Sequence, residues 1–328
     1  MIALDELYPD IAPDLEKIGG EIASIASSAY LPLGDAARYL ATTPGKRLRP
    51  GLLLLSARAC GYAGPRCIVA GAVVEVLHAV SLAHDDVIDE ADMRRGTPSA
   101  RALWGNRMAV LLGDHLLAGA FKRLIESGDT NLMLEIADAA REMCRGQIQE
   151  IMLAGPELTE AQYLEIVSAK TASLFAASCR LAAAAADADE PNRQALDSFG
   201  KGLGIAYQIA DDVRDLTGTA EEMGKPVARD LAQGQITLPM IYALRQGSTA
   251  QRAELLACLN GNGRDVVDLP RIRKLVADTG GFEYAAARLQ RFAEEAVDGL
   301  AALPSSAARD CLVSLSRSAL AVPVIVGG

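Results

Sequence analysis

Apolar residues recur along most of this chain three and four positions apart, the spacing that puts them on one face of an α-helix. The pattern predicts helices over 51–60, 68–84, 104–125, 131–153, 161–186, 193–213, 237–244 and 282–303. Long alternating runs of the β type are absent. Breakers separate the segments: Thr43-Pro44-Gly45, 61–65, Gly96-Thr97-Pro98, 127–130, Gly155-Pro156, Pro191-Asn192 and 260–264. Pro50 suits the first turn of one helix, and Pro191 precedes another. Gly155 to Thr159 followed by Glu160 reads as a stop, a cap and an acidic first turn. The alanine run 182–186 reads as a tightly packed helix, because it lacks the polar bias of a disordered tract. No linker, low-complexity tract or short-period repeat interrupts the pattern. One all-α domain over residues 1–328 is the expectation.

Composition narrows the function. Half of the 328 residues are hydrophobic, enough for a large core, and the net charge is -10, from 42 acidic and 32 basic side chains. Such a chain repels a phosphate backbone at long range. With aromatics at 4% it also lacks stacking platforms, so nucleic acid is not an expected partner. The six cysteines form no C-x-x-C pair, and the histidines are His78, His84 and His115. A zinc site is not expected from that set. The cysteines read as buried thiols in a reducing, cytoplasmic compartment. Residues 1–15 carry acids and prolines rather than a basic then apolar signal. No run reaches the roughly 18 uninterrupted apolar residues of a membrane span.

The candidate chemistry lies in two acidic clusters. Asp85-Asp86-Val87-Ile88-Asp89 and Asp211-Asp212-Val213-Arg214-Asp215 share the pattern D-D-x-x-D, and each follows an apolar helical run. On a helix, Asp85 and Asp89 lie about 6 Å apart on one face, as do Asp211 and Asp215. Like charges at that spacing, near a helix C-terminus, are destabilising. Hard divalent cations relieve the repulsion, and magnesium is commonly shared between carboxylates and substrate phosphates. A solvated acidic face is the competing reading for one such cluster. Two clusters of identical spacing favour the metal. A calcium loop does not fit, since the helical runs leave no twelve-residue loop with a central glycine.

Cations accompany the acids. Lys46, Arg47 and Arg49 crowd a helix start, Arg94 and Arg95 follow the first motif, and Lys170 and Lys225 stand apart. Acidic metal motifs together with such clusters describe a diphosphate site. His78 lies seven residues before Asp85, two helical turns back, which favours a site role over that of a core histidine. His84, His115 and Trp104 read as structural.

These residues carry a resemblance to the trans-isoprenyl (polyprenyl) diphosphate synthase family along nearly the whole chain. The matching blocks are 45–50, 78–98, Lys170-Thr171, 208–215, and Gly224-Lys225-Pro226 with Asp230-Leu231. The stretch 218–226 and Thr237-Leu238-Pro239 look most like the long-chain branch. The resemblance implies an all-α, single-domain helical bundle of the isoprenoid synthase type around a deep central cavity, as a homodimer. It implies up to three magnesium ions per site, manganese being able to substitute, two of them at Asp85 and Asp89 and a third at Asp211. Asp86, Asp212 and Asp215 complete the motifs. Arg94, Lys170 and Lys225 would stabilise the allylic diphosphate as it leaves, and Lys46, Arg49, Arg95 and His78 would hold isopentenyl diphosphate. Thr171 and Gln208 would lie beside the allylic cation. The expected reaction condenses isopentenyl diphosphate with an allylic diphosphate to a medium- or long-chain all-trans product. The alternatives are a short-chain farnesyl or geranylgeranyl synthase and a non-catalytic partner subunit, although partner subunits usually lose one acidic motif. A terpene cyclase would show a different second motif, and a hydrolase would need a water-activating base that the chain does not display. The chain ends Ala321-Val322-Pro323-Val324-Ile325-Val326-Gly327-Gly328, without the basic tail that helps close the site in many relatives. No aromatic interrupts the wall formed by Val80, Val76 or Leu77, and Val73 or Ala72, so the product should exceed the geranylgeranyl length.

Overall fold

The structure is a computed structural model describing residues 8–28, 31–42, 47–94, 96–218, 235–259 and 268–319. Helices α1 (Ala12–Ile25), α2 (Leu31–Thr42), α3 (Leu48–Ala59) and α4 (Pro65–Ile88) lead into a hairpin of two short strands, β1 (Met93–Arg94) and β2 (Thr97–Pro98). Then follow α5 (Ala100–Trp104), α6 (Asn106–Ser127), α7 (Thr130–Met152) and α8 (Glu160–Val167). A π-helical turn, Ser168–Ala172, joins α8 to α9 (Ser173–Ala185). The rest comprises α10 (Glu190–Thr217), α11 (Leu238–Gln246), α12 (Thr249–Leu259), α13 (Leu269–Asp278), α14 (Gly281–Gly299) and α15 (Ala307–Ala319). The hairpin aside, the fold is all-α, as the apolar spacing predicts.

Several local signals act as read. Pro50 sits in the first turn of α3, whereas Pro191, expected just before a helix, lies inside the first turn of α10. Thr159 caps α8 through a full capping box with Gln162, which satisfies donors at both ends of that pair. Other boundaries differ. The predicted helix 104–125 breaks at Gly105 into α5 and α6, and 161–186 is split by the π turn. The periodicity missed α1, α2, α12, α13 and α15. Helix α13 shows why: its ten residues bury only Ile272, Leu275 and Val276. These three lie on one helical face, but polar side chains fill most of the other positions, so the segment is polar on average and easily passed over.

Contacts divide the chain into two compact units. The first comprises 1–141, 174–201 and 296–316, and the second 142–173, 202–295 and 317–328. In the first, α4 is the central element, packed by α6, α1 and α3. It is apolar on nearly every side, so it must be covered. Val73, Val74, Val76, Leu77 and Val80 are buried, alongside Leu112 and Leu116 of α6 and Phe175 of α9. By length and composition α4 could cross a bilayer, but most of it is buried in this core. The second unit has its own core, with Ile205, Ile209 and Val213 of α10 packed among Leu238, Ile241, Ile272, Leu275 and Phe282.

The thiols need one correction. Cys67, Cys179, Cys258 and Cys311 are buried as expected, but Cys60 is only half-buried and Cys144 is exposed. Burial pushes the Cys67 and Cys179 thiols up to about 12. All six cysteines are free.

Candidate active site

The first acidic motif closes α4. The helix ends in a Schellman turn: the Ala91 N–H donates to the Asp86 carbonyl at 2.8 Å, and Glu90 takes a left-handed conformation, φ 52°. The chain thus reverses into the hairpin, whose turn needs the left-handed Gly96, φ 77°. Pairing of Arg94 with Thr97 then turns Arg94 back toward α4. Its guanidinium donates to Asp86 Oδ1 twice, from Nε at 2.9 Å and Nη2 at 2.6 Å. Two further bonds pin the hairpin: Ser99 Oγ donates to the Ala91 carbonyl at 2.5 Å, and Tyr39 Oη to the Pro98 carbonyl at 2.8 Å.

The three aspartates therefore differ. Asp86 is 3% exposed and holds Arg94, whereas Asp85 and Asp89 stay half-buried at the helix end. Arg94, read from sequence as a diphosphate ligand, has two of its three nitrogens engaged by Asp86. A cleft beside it is lined by Tyr39, Glu75, His78, Leu82, Asp86 and Arg94. His78 lines this cleft together with Asp86, the one aspartate of the first motif in its lining. His84 does not: its Nε2 lies 3.3 Å from the Val110 carbonyl, against Gly113 of α6.

The basic cluster before α3 also divides. Arg47 donates from Nη1 to the Leu15 carbonyl at 2.9 Å, tying α3 to α1. Arg49 is half-buried, with its guanidinium carbon 4.7 Å from the centre of the Phe175 ring, a cation–π contact. Lys46, Arg95 and Lys225 lie outside the described residues.

The second unit carries the other half of the predicted constellation. Asp211 is half-buried near the end of α10 and pairs with Arg214 at 3.2 Å. Asp212, one position on, is 4% exposed and accepts twice, from Tyr163 Oη at 2.5 Å and Gln208 Nε2 at 2.7 Å. Asp215 is buried as well. Gln208 Oε1 in turn accepts from Thr171 Oγ1 at 2.8 Å. Lys170 and Thr171 sit within the π turn, where widened backbone spacing commonly marks a functional site. Lys170 Nζ forms an ion pair with Glu150 of α7, which also accepts from Gln147 Nε2 at 3.1 Å.

Tyr163, Glu150, Gly146, Glu75 and Tyr39 are absent from the sequence reading. The one available signal is the polar run Gly146-Gln147-Ile148-Gln149-Glu150 inside an otherwise amphipathic helix. Among the described residues no three His, Cys, Asp or Glu side chains gather into a ready metal cluster. The donor chemistry still suits a hard cation, since Asp85, Asp89 and Asp211 offer carboxylate oxygens at half-buried positions. Magnesium is typically held by one or two carboxylates and completed by waters and substrate phosphates, not by an all-protein cage.

Comparison with known proteins agrees with these features. A family model described as polyprenyl synthetase matches residues 32–276. The octaprenyl diphosphate synthase of Haemophilus influenzae is 35% identical, with 96% of each chain covered. Component 2 of the heptaprenyl diphosphate synthase of Geobacillus stearothermophilus is 38% identical, covering 95% of this chain and 97% of its own. A crystal structure of polyprenyl synthase from Caulobacter crescentus CB15, complexed with calcium and isoprenyl diphosphate, superposes with a TM-score of 0.91 at 31% identity, covering 97% of each chain. The protein is an all-α prenyltransferase of isoprenoid biosynthesis. It belongs to the polyprenyl synthetase family.

Proposed function

We propose that this chain condenses isopentenyl diphosphate with an allylic diphosphate, giving a medium- or long-chain all-trans polyprenyl diphosphate. The observation that carries the reading is the repeated arrangement of the two motifs. In each, a half-buried aspartate (Asp85, Asp211) directly precedes a buried one that accepts hydrogen bonds from the protein (Asp86, Asp212). The names of the octaprenyl and heptaprenyl relatives support the product class. The family match runs through both compact units, which supports one polyprenyl synthase domain over 1–328.

In the proposed reaction the allylic carbon–oxygen bond breaks and its electron pair leaves with the diphosphate. The isopentenyl double bond forms the new carbon–carbon bond, and the proton it releases passes to the departing diphosphate. Asp85, Asp89 and Asp211 would hold magnesium, up to three ions per site, with manganese able to substitute; the calcium in the Caulobacter complex supports a divalent site. The cation supplies positive charge to the leaving diphosphate when bound. Lys170, positioned by Glu150, adds charge to the same group, with Arg94 and Lys225. Lys46, Arg49, Arg95 and His78 orient isopentenyl diphosphate. Thr171 and Gln208 face the cation with dipoles that stabilise it without a covalent bond.

The test is direct. The pure chain, given magnesium, isopentenyl diphosphate and allylic primers, should elongate them, and excess chelator should abolish turnover. Metal plus diphosphate should also raise Tm, because both bind only the native state. Full turnover in chelator, or no elongation by the chain alone, counts against the reading. The second outcome would favour a partner subunit.

Product length has its own test. Val80, Val76, Leu77, Val73 and Ala72 are all buried along α4, with no aromatic among them. Val80→Phe should shorten the product while leaving first condensations fast. An unchanged product distribution from a folded, active variant would show that Val80 lines ordinary core instead.

We further propose a cytoplasmic homodimer. Six free thiols support the reducing compartment. Exposed apolar side chains support the dimer: Leu111 and Leu134 in the first unit, and Ile148, Ile151 and Met152 in the second.

A further inference from the structure

We propose that Tyr163 is a positioning residue: through Asp212 it sets the orientation of the Gln208 amide, and so makes Thr171 an electron-pair donor toward the developing allylic cation. This inference rests on the function proposed above. It starts from a chain of three hydrogen bonds inside the second unit. Tyr163 Oη donates to Asp212 Oδ2, Gln208 Nε2 donates to Asp212 Oδ1, and Thr171 Oγ1 donates to Gln208 Oε1. All four side chains come from α8, the π turn and α10, with Tyr163 and Asp212 both buried.

The direction of the chain follows from Asp212. A carboxylate only accepts hydrogen bonds, so the side of the Gln208 amide that faces it must be the NH2 group. The opposite orientation would set two acceptor oxygens 2.7 Å apart in a buried site, where opposed acceptors are costly. The amide oxygen therefore faces Thr171, and the Thr171 hydroxyl uses its one proton to reach it. What the hydroxyl can still offer is lone pairs, which attract positive charge. Were the amide reversed, Thr171 would accept from NH2 and could turn its proton toward the cation, which repels it. One carboxylate thus decides the electrostatic sign of a hydroxyl two bonds away along the chain.

Tyr163 is what keeps that carboxylate in place. Its ring packs in the core of the second unit with Val167, Ile205 and Ile209, so the hydroxyl arrives from a fixed direction. With Oδ2 held, Asp212 cannot rotate Oδ1 away from Gln208. Tyr163→Phe keeps the ring and removes the hydrogen bond to Asp212. Asp212→Asn places an amide there, whose NH2 can turn to Gln208 and reverse it.

The experiment compares the full-length wild type, Tyr163→Phe, Asp212→Asn and the double variant, measuring kcat and both KM values for the first condensation and Tm for each protein. Tyr163→Phe should cut kcat about tenfold, the order expected for losing one hydrogen bond to a charged group, with both KM values unchanged. Asp212→Asn should cut kcat at least as far. Adding Tyr163→Phe to Asp212→Asn should cost no more than about a further twofold, because both act through one contact. The Tm losses should overlap in the double variant in the same way. A purely structural tyrosine would lower Tm and leave kcat intact, which overturns the proposal, as do losses in kcat that multiply. A wild type that makes no product refutes the proposed function instead; the relay is then judged by Tm alone, and additive losses there overturn it.

Discussion

Asp85→Ala and Asp89→Ala are each expected to lower kcat at least a hundredfold, roughly, and to leave the fold intact. Both side chains are half-buried at the end of α4. Their removal takes away charge stabilisation that matters mainly as the diphosphate leaves, so the loss should appear in kcat. Removing one of the two like charges near the helix C-terminus relieves repulsion there. Asp86→Ala should behave differently, although it lies in the same motif. It leaves Arg94 facing a buried cavity without its carboxylate. Breaking a fully buried pair costs about 3–5 kcal/mol. Because Arg94 keeps 27% exposure, the loss here should be nearer 2–3 kcal/mol, roughly a 5 °C fall in Tm. Kinetics and thermal melts on the three variants check this. Near-normal turnover in Asp85→Ala or Asp89→Ala at saturating substrate would remove that residue from the metal site. Equal Tm for all three would contradict the anchoring role of Asp86.

Gly146→Ala is expected to inactivate the enzyme out of proportion to the methyl group it adds. At an unencumbered helix position that change stabilises by about 0.4–1 kcal/mol, through lost freedom of the unfolded chain. Gly146 is not such a position. A Cβ there would stand 2.4 Å from the backbone nitrogen of Lys170 and 2.8 Å from its Cα. Backbone cannot swing aside as a side-chain tip does, so α7 and the π turn must separate by about 1 Å. Overpacking of this kind costs about 1–3 kcal/mol. The larger effect is on geometry, because Lys170 and Thr171 move with that backbone, and a misplacement of about 1 Å can lower turnover about a hundredfold. The expected result is a folded protein with Tm lower by a few degrees and kcat lower by about two orders of magnitude. Wild-type kcat in a folded Gly146→Ala protein would show that the π turn does not depend on this close approach.

Apolar content alone does not decide which helices are legible: α1 buries Ile18, Ile22 and Ile25 at helical spacing yet is missing from the predicted set. Helix α4 buries residues on nearly every side and stands out in the sequence, although its ends were placed three and four residues too far in. Helices α12 and α13 bury few side chains each and were missed. The π turn left no mark at all in the pattern. Its residues, Ser-Ala-Lys-Thr-Ala, continue the helical spacing of their neighbours, and the widening arises where Gly146 admits the backbone of Lys170.

The linear order of residues by itself determined the all-helical class, the two aspartate motifs and the cation clusters beside them. These follow from side-chain type and from a 3.6-residue period, which are properties of neighbours along the chain. Only the tertiary structure decided which carboxylates the protein engages for itself. Asp86 and Asp212 occupy the same place in two motifs of the D-D-x-x-D pattern, and side-chain type does not distinguish them from Asp85 and Asp211. Their burial comes from Arg94, eight positions on, and from Tyr163, 49 positions back. Glu150 likewise meets Lys170 across 20 positions and two helices. A hydrogen bond of this kind depends on where a separate helix places its donor, and the chain's own periodicity carries no record of that.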